Sequence, residues 1–166
     1  MLTDKFISPT YGQLTMEQVV EQIQKTVEMH PHDAFNIMIG TDSQNFDDTK
    51  IVLVILLRRI GKGGTFFYQV TRQPRIDDIR SKLFTETQMS LECANLLIDK
   101  FEWLNEYTGF DYTQFGGFTI HVDAGPNGKT CAVIPEIVGW VHSCGYECTT
   151  KPDSCAASSV ADRLSK

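Results

Sequence analysis

The chain lacks any apolar run near the roughly 20 residues needed to cross a bilayer. Its longest, Ile51–Leu57, is short and is followed by Arg58 and Arg59, so it reads as a buried strand. Cysteine is scarce as well, with five in 166 residues. An odd count in a chain long enough to fold without staples favours reduced thiols over a disulfide framework. Of these only Cys144-x₃-Cys148, beside His142, approaches the spacing of a zinc knuckle, and buried thiols are the plainer reading. The opening Met-Leu-Thr-Asp-Lys-Phe carries no signal-peptide hydrophobic region, and a cytoplasmic location is expected. Positive charge is in deficit: 15 Lys and Arg face 21 Asp and Glu, a net charge of −6. That balance argues weakly against unassisted nucleic-acid binding. Internal repeats, low-complexity segments and interdomain linkers are missing too.

What is there suits one domain over residues 1–166, with residues 1–34 as an N-terminal lead-in and helix. A chain of this length buries roughly 70% of its unfolded surface. The few bases are concentrated: Arg58, Arg59, Lys62, Arg72, Arg75, Arg80 and Lys82 are offset in that stretch only by Asp77 and Asp78. Such a patch can hold a phosphate backbone; the bland alternative is a solvated set of strand ends and loops.

Periodicity orders the elements. Residues 1–14 read as irregular. Thr15-Met-Glu-Gln18 matches a capping box, and Val19, Val20, Ile23 and Val27 make a helical stripe that ends before Pro31. Strands are expected at about 35–42, 51–60 and 65–71, the last two joined at Gly61-Lys-Gly-Gly64. A long helix follows at about 80–106, then a strand at 117–123, a helix at 129–143, a short strand at 146–150 and a last helix at 154–165. Three antiparallel strands followed by crossover helices imply a mixed α/β sheet with helices on both faces. The expected arrangement has five strands in the order 3-2-1-4-5, with strand 2 antiparallel. Strands one and four then flank a topological switch point, where ligands bind beyond the carboxyl ends of strands.

Asp42 and Asp123 each close a β-type run that ends in a small-residue loop. On neighbouring strands they would stand about 5 Å apart laterally. Helix phase selects a glutamate to join them. Glu86 falls within about 40° of Ser90 on the inward stripe, whereas Glu92 points away to solvent. A carboxylate near an apolar face is costly unless it is paired or bound to metal. Near the C-terminus, Asp153 reads either as a helix N-cap or as a further ligand. Asp162 reads either as a surface residue or as a fourth carboxylate, brought in by the small side chains of Ala156-Ala-Ser-Ser159. Oxygen-only ligands suit hard cations such as Mg²⁺ or Mn²⁺.

Gly40-Thr-Asp-Ser-Gln44, Leu83-x-x-Glu86-x-x-x-Ser90-Leu-Glu-x-Ala94, His121-Val-Asp-x-Gly-x-Asn-Gly-Lys-Thr130, Lys151-Pro-Asp-Ser154 and Ala157-Ser-Ser-Val-Ala-Asp162 together resemble the ribonuclease H-like YkuK family. The resemblance runs over almost the whole chain, including Ser8-Pro9 and Gly12. It implies a ribonuclease H fold and a metal-dependent nuclease acting on RNA or DNA through two Mg²⁺ or Mn²⁺ ions. By that resemblance Asp42, Glu86 and Asp123 take the places of the superfamily's acidic residues. Asp162 takes that of the helical aspartate, with Asp153 as its rival. Lys129, Lys151, Arg72 and Arg75 are the candidate substrate-binding cations. His121 is read as a core histidine with a possible supporting role. Two other functions stay open: a non-catalytic binding module that keeps the fold, and an ATPase or phosphotransferase using Gly125-Pro-Asn-Gly-Lys-Thr130. The latter run departs from a Walker loop, because Asp123 stands where its first glycine belongs.

Overall fold

The structure, a computed structural model, describes residues 2–115, 118–151 and 157–166. Helix α1 (Met16–Met29) begins as its sequence dictates. The Gln18 amide N–H donates to Thr15 Oγ1 at 3.2 Å, and the Thr15 N–H donates to Gln18 Oε1 at 2.8 Å. Both halves of the capping box thus satisfy amides that a helix start leaves without partners. Met16, Val19, Val20, Ile23 and Val27 form its buried stripe.

Three strands of 11 residues then fold back and forth: β3 (Phe35–Asn45), β4 (Thr49–Arg59) and β5 (Gly63–Gln73). The β3–β4 ladder is continuous from Phe35 opposite Arg59 to Asn45 opposite Thr49. Strand β4 carries apolar side chains to both faces, with Ile51, Leu53 and Ile55 on one and Val52 and Val54 on the other. Helix α2 (Ile79–Thr108) follows, capped by Asp78 and closed at Gly109, whose φ of 74° is a left-handed conformation that suits glycine. Strand β6 (Phe118–His121) pairs parallel to β3, and β7 (Glu147–Thr149) pairs parallel to β6. Between them lie a 3₁₀ turn (Cys131–Val133) and α3 (Ile134–Ser143), with Pro135 in the first helical turn. Helix α4 (Ala157–Ser165) is the last element.

The five strands β5-β4-β3-β6-β7 realise the expected order, but among the described residues the sheet has seven strands, not five. The lead-in is not irregular. β1 (Phe6–Ser8) and β2 (Gly12–Leu14) form a small hairpin that adds to the free edge of β5 through Ile7 opposite Tyr68. Ser8 Oγ accepts from the Thr10 and Tyr11 amides at 3.2 and 3.3 Å, and Gly12 turns at φ 76°.

Two apolar cores face the sheet from opposite sides. The larger joins α1, α2 and α3 to Ile37, Ile39, Ile51, Leu53, Ile55 and Ile120. The smaller sets Ala161 of α4, with Val160 and Leu164, against Met38, Val52 and Val54. Among the described residues, no helix is long and apolar enough to cross a membrane.

Candidate active site

Alternation along β3 sends consecutive side chains to different helices. Thr41 and Ser43 face α2: Thr41 Oγ1 lies 2.7 Å from Ser90 Oγ, and Ser43 Oγ donates to Glu86 Oε1 at 2.5 Å. Asp42, between them, faces α4, where the buried Ser165 hydroxyl lies 2.9 Å from Asp42 Oδ2. That hydroxyl is also 2.9 Å from the Asp162 carbonyl, so its single proton serves one acceptor at a time. Lys50 of β4 anchors the same end of α4 by donating to the Leu164 carbonyl at 2.7 Å.

The parallel register of β3 and β6 ends with Gly40 beside His121. Two residues further along each chain stand Asp42 and Asp123: Asp42 lies three residues before the end of β3, not at its end as expected from the sequence, and Asp123 lies two residues past the end of β6. The Val122 N–H donates to the Thr149 carbonyl and the Lys151 N–H to the Ala124 carbonyl, both at 2.9 Å. These bonds carry the β6–β7 pairing past the strands and hold Asp123 in place. Its Oδ1 accepts from Lys151 Nζ at 2.5 Å. Asp162, half-buried on α4, pairs with Lys166 at 3.1 Å. Asp153 lies outside the described residues.

Electrostatics follow from this packing. Burial pushes Asp42 up to about 6; the charges of Asp123 and Asp162 add to the rise, and the Ser165 hydrogen bond opposes it. Burial lifts Glu86 further, to about 8, against the hydrogen bond from Ser43. Burial lowers His121 to about 4, so its imidazole is neutral at pH 7. The hydrogen bond to Asp123 raises Lys151, with lesser help from the charges of Asp42 and Asp162. Glu92 is exposed and accepts only from Gln88, one turn back, at 3.3 Å.

The donors suit a hard divalent cation, since all are carboxylates and the site carries unbalanced negative charge. They are not gathered, however: among the described residues, no three His, Cys, Asp or Glu side chains stand together so as to hold a metal ion. Asp123 and Asp162 turn to lysines instead. Asp42, Glu86, Asp123 and Asp162 are the residues that could hold such an ion, with Lys151 and Lys166 standing against two of them.

The proposed cations divide. Arg72 and Arg75 stand at the Asp42 end of the sheet but are engaged with the turn between β3 and β4. Arg72 pairs with Asp48 at 2.6 Å and lies 5.9 Å from the Phe46 ring centre. Arg75 bonds Asp77 at 2.5 Å and also donates to the Phe46 carbonyl. Arg59 and Lys62 lie at the other end, where both pair with Asp33. Arg58 is six residues from Val52, the partner of Asp42, or about 20 Å along the strand. The seven bases thus do not form one patch.

Lys129 is exposed in the loop after Asp123. That loop spends its own amides, as Gly128 N–H donates to the Gly125 carbonyl and Cys131 N–H to that of Gly128. A side chain at Gly125 would place its Cβ 3.1 Å from that of Lys151, so the glycine makes room for the lysine stem. The thiols are also less uniform than expected, with Cys93 buried, Cys148 half-buried, and Cys131 and Cys144 exposed; Cys155 is outside the described residues. Ser43 and Ser165 carry no distinctive sequence signal beyond their positions, next to Asp42 and one turn after Asp162.

A sheet of this order, with acidic side chains towards the carboxyl ends of its central parallel pair, defines the ribonuclease H-like class. The Ribonuclease H-like family model matches residues 18–166, and the chain belongs to that family. It is 34% identical over 171 residues to a Bacillus subtilis (strain 168) protein, "Uncharacterized protein YkuK", covering 97% of this chain and 96% of that one. No solved structure matches the chain significantly.

Proposed function

We propose that the chain is a divalent-metal-dependent nuclease that hydrolyses phosphodiester bonds of RNA or DNA. The placement of Asp42, in the last part of β3, beside Asp123, just past β6, with Glu86 and Asp162 approaching from opposite faces, carries this reading. A pair of Mg²⁺ or Mn²⁺ ions held there would supply an activated water and stabilise the leaving oxygen. The chain's own part is positioning. Ser165 fixes the Asp42 carboxylate from α4, and Ser43 fixes Glu86 from the neighbouring position on β3. Glu86 remains protonated at pH 7 until a positive charge arrives. Of the candidate cations, Lys129 is exposed in its loop, whereas Lys151, Arg72 and Arg75 would meet substrate phosphate only by leaving their partners Asp123, Asp48 and Asp77.

A second reading, a binding module that keeps the fold, draws on the lysine pairs that already occupy Asp123 and Asp162. The test is cleavage of single-stranded, duplex and hybrid substrates with Mg²⁺ or Mn²⁺. Asp42→Asn should abolish cleavage while leaving the circular dichroism spectrum unchanged. Equal cleavage by that variant, once contaminating nuclease is removed, would defeat the catalytic reading.

A further inference from the structure

Lys151 is placed by its backbone. Its N–H bonds the carbonyl of Ala124, the residue after Asp123, and its stem passes over Gly125, where an added Cβ would come within 3.1 Å of the Lys151 Cβ. The ammonium so directed meets Asp123 Oδ1 at 2.5 Å. Lys166 makes the comparable contact with Asp162 along one helix, but both members of that pair are more exposed than Asp123, and water screens it more. The strand-end aspartate is thus held by a cation that arrives from β7.

We propose that Lys151 is an internal counter-ion that holds Asp123 in the metal-free protein and competes with a divalent cation for it. This rests on the reading above that the carboxylates bind metal. Lys151 occupies Oδ1 of Asp123; an ion drawn to that oxygen displaces the ammonium, and an ion on Oδ2 meets its positive charge at close range, so in either case the pair opposes binding. The competition lowers metal affinity. It also keeps mutual repulsion among the aspartates in check when no ion is present.

The test is Mn²⁺ affinity of the full chain, by calorimetry and by loss of the free-ion electron paramagnetic resonance signal, so that cleavage is not the readout. Lys151→Met should bind Mn²⁺ about three- to fivefold more tightly than wild type, the scale expected for one partly exposed ion pair. Lys151→Arg keeps a cation on the same stem and should stay near wild type. Lys129→Met removes the same charge nearby without touching the pair, and should change affinity by no more than about twofold. A Lys151→Met affinity equal to that of Lys129→Met, or weaker than wild type, would overturn the counter-ion while leaving the metal site standing. Failure of both wild type and Lys151→Met to bind Mn²⁺, with both folded, would sink the metal reading and this proposal together.

Discussion

Replacing Glu86 by glutamine should flatten the dependence of stability on pH. The native carboxyl titrates at about 8, against 4.5 for the ordinary group. Between those values the folded protein binds a proton that the unfolded chain does not. The stability involved is therefore fully present below about pH 4.5 and is lost as pH rises through 8. At 1.36 kcal/mol per unit the ceiling is about 5 kcal/mol. That is large beside the 5–15 kcal/mol total typical of a domain. Relaxation of the folded chain around the ionised carboxylate lowers that ceiling, so a loss of roughly 2–5 kcal/mol is expected. Glutamine retains an oxygen to accept from Ser43 and has no charge to desolvate. Urea unfolding at pH 5, 7 and 9 in chelator should show wild type weakening across the series. Glu86→Gln should retain most of its pH 5 stability, apart from a smaller fall from Asp42, whose raised value of about 6 acts in the same direction. Parallel curves for the two proteins would refute the account of a buried, protonated Glu86.

Two further substitutions probe the supports of the site. Ser165→Ala removes the buried donor to Asp42 and should cost about 1–2 kcal/mol at pH 7 in urea unfolding. Adding it to Asp42→Asn should cost less than the sum of the separate changes, because the two side chains share one hydrogen bond. Gly125→Ala forces its new Cβ against Lys151 and should cost about 1 kcal/mol in the same measurement. Wild-type stability in that variant would show that the lysine stem yields freely.

The parts of the fold legible in the sequence are those with long or strongly signalled patterns. Val19, Val20, Ile23 and Val27 behind a capping box define α1, and the nearly continuous apolar run from Ile51 defines a strand covered on both faces. The β1–β2 hairpin escaped because three residues per strand give no period to read. Only its Ser8-Pro9 and Gly12 turn marks it. The apparent basic patch failed for a geometric reason: 11-residue strands carry residues close in sequence to opposite ends of the sheet, so Arg59 and Arg72 point to different neighbourhoods. The carboxylates could be nominated from strand ends and helix phase, since Glu86 and Glu92 differ by most of a half-turn. Their partners could not. Ser43, Ser165 and Lys151 are common residue types whose importance comes only from what the folded chain sets beside them.

The unbroken ladder between β3 and β4 has one more consequence. Because Asp42 and Ser43 are adjacent yet serve opposite faces, a slip of one residue would send the aspartate towards α2 and the serine towards α4. The paired hairpin therefore works as a gauge for the carboxylates. A single-residue insertion or deletion between residues 35 and 45 would invert the arrangement.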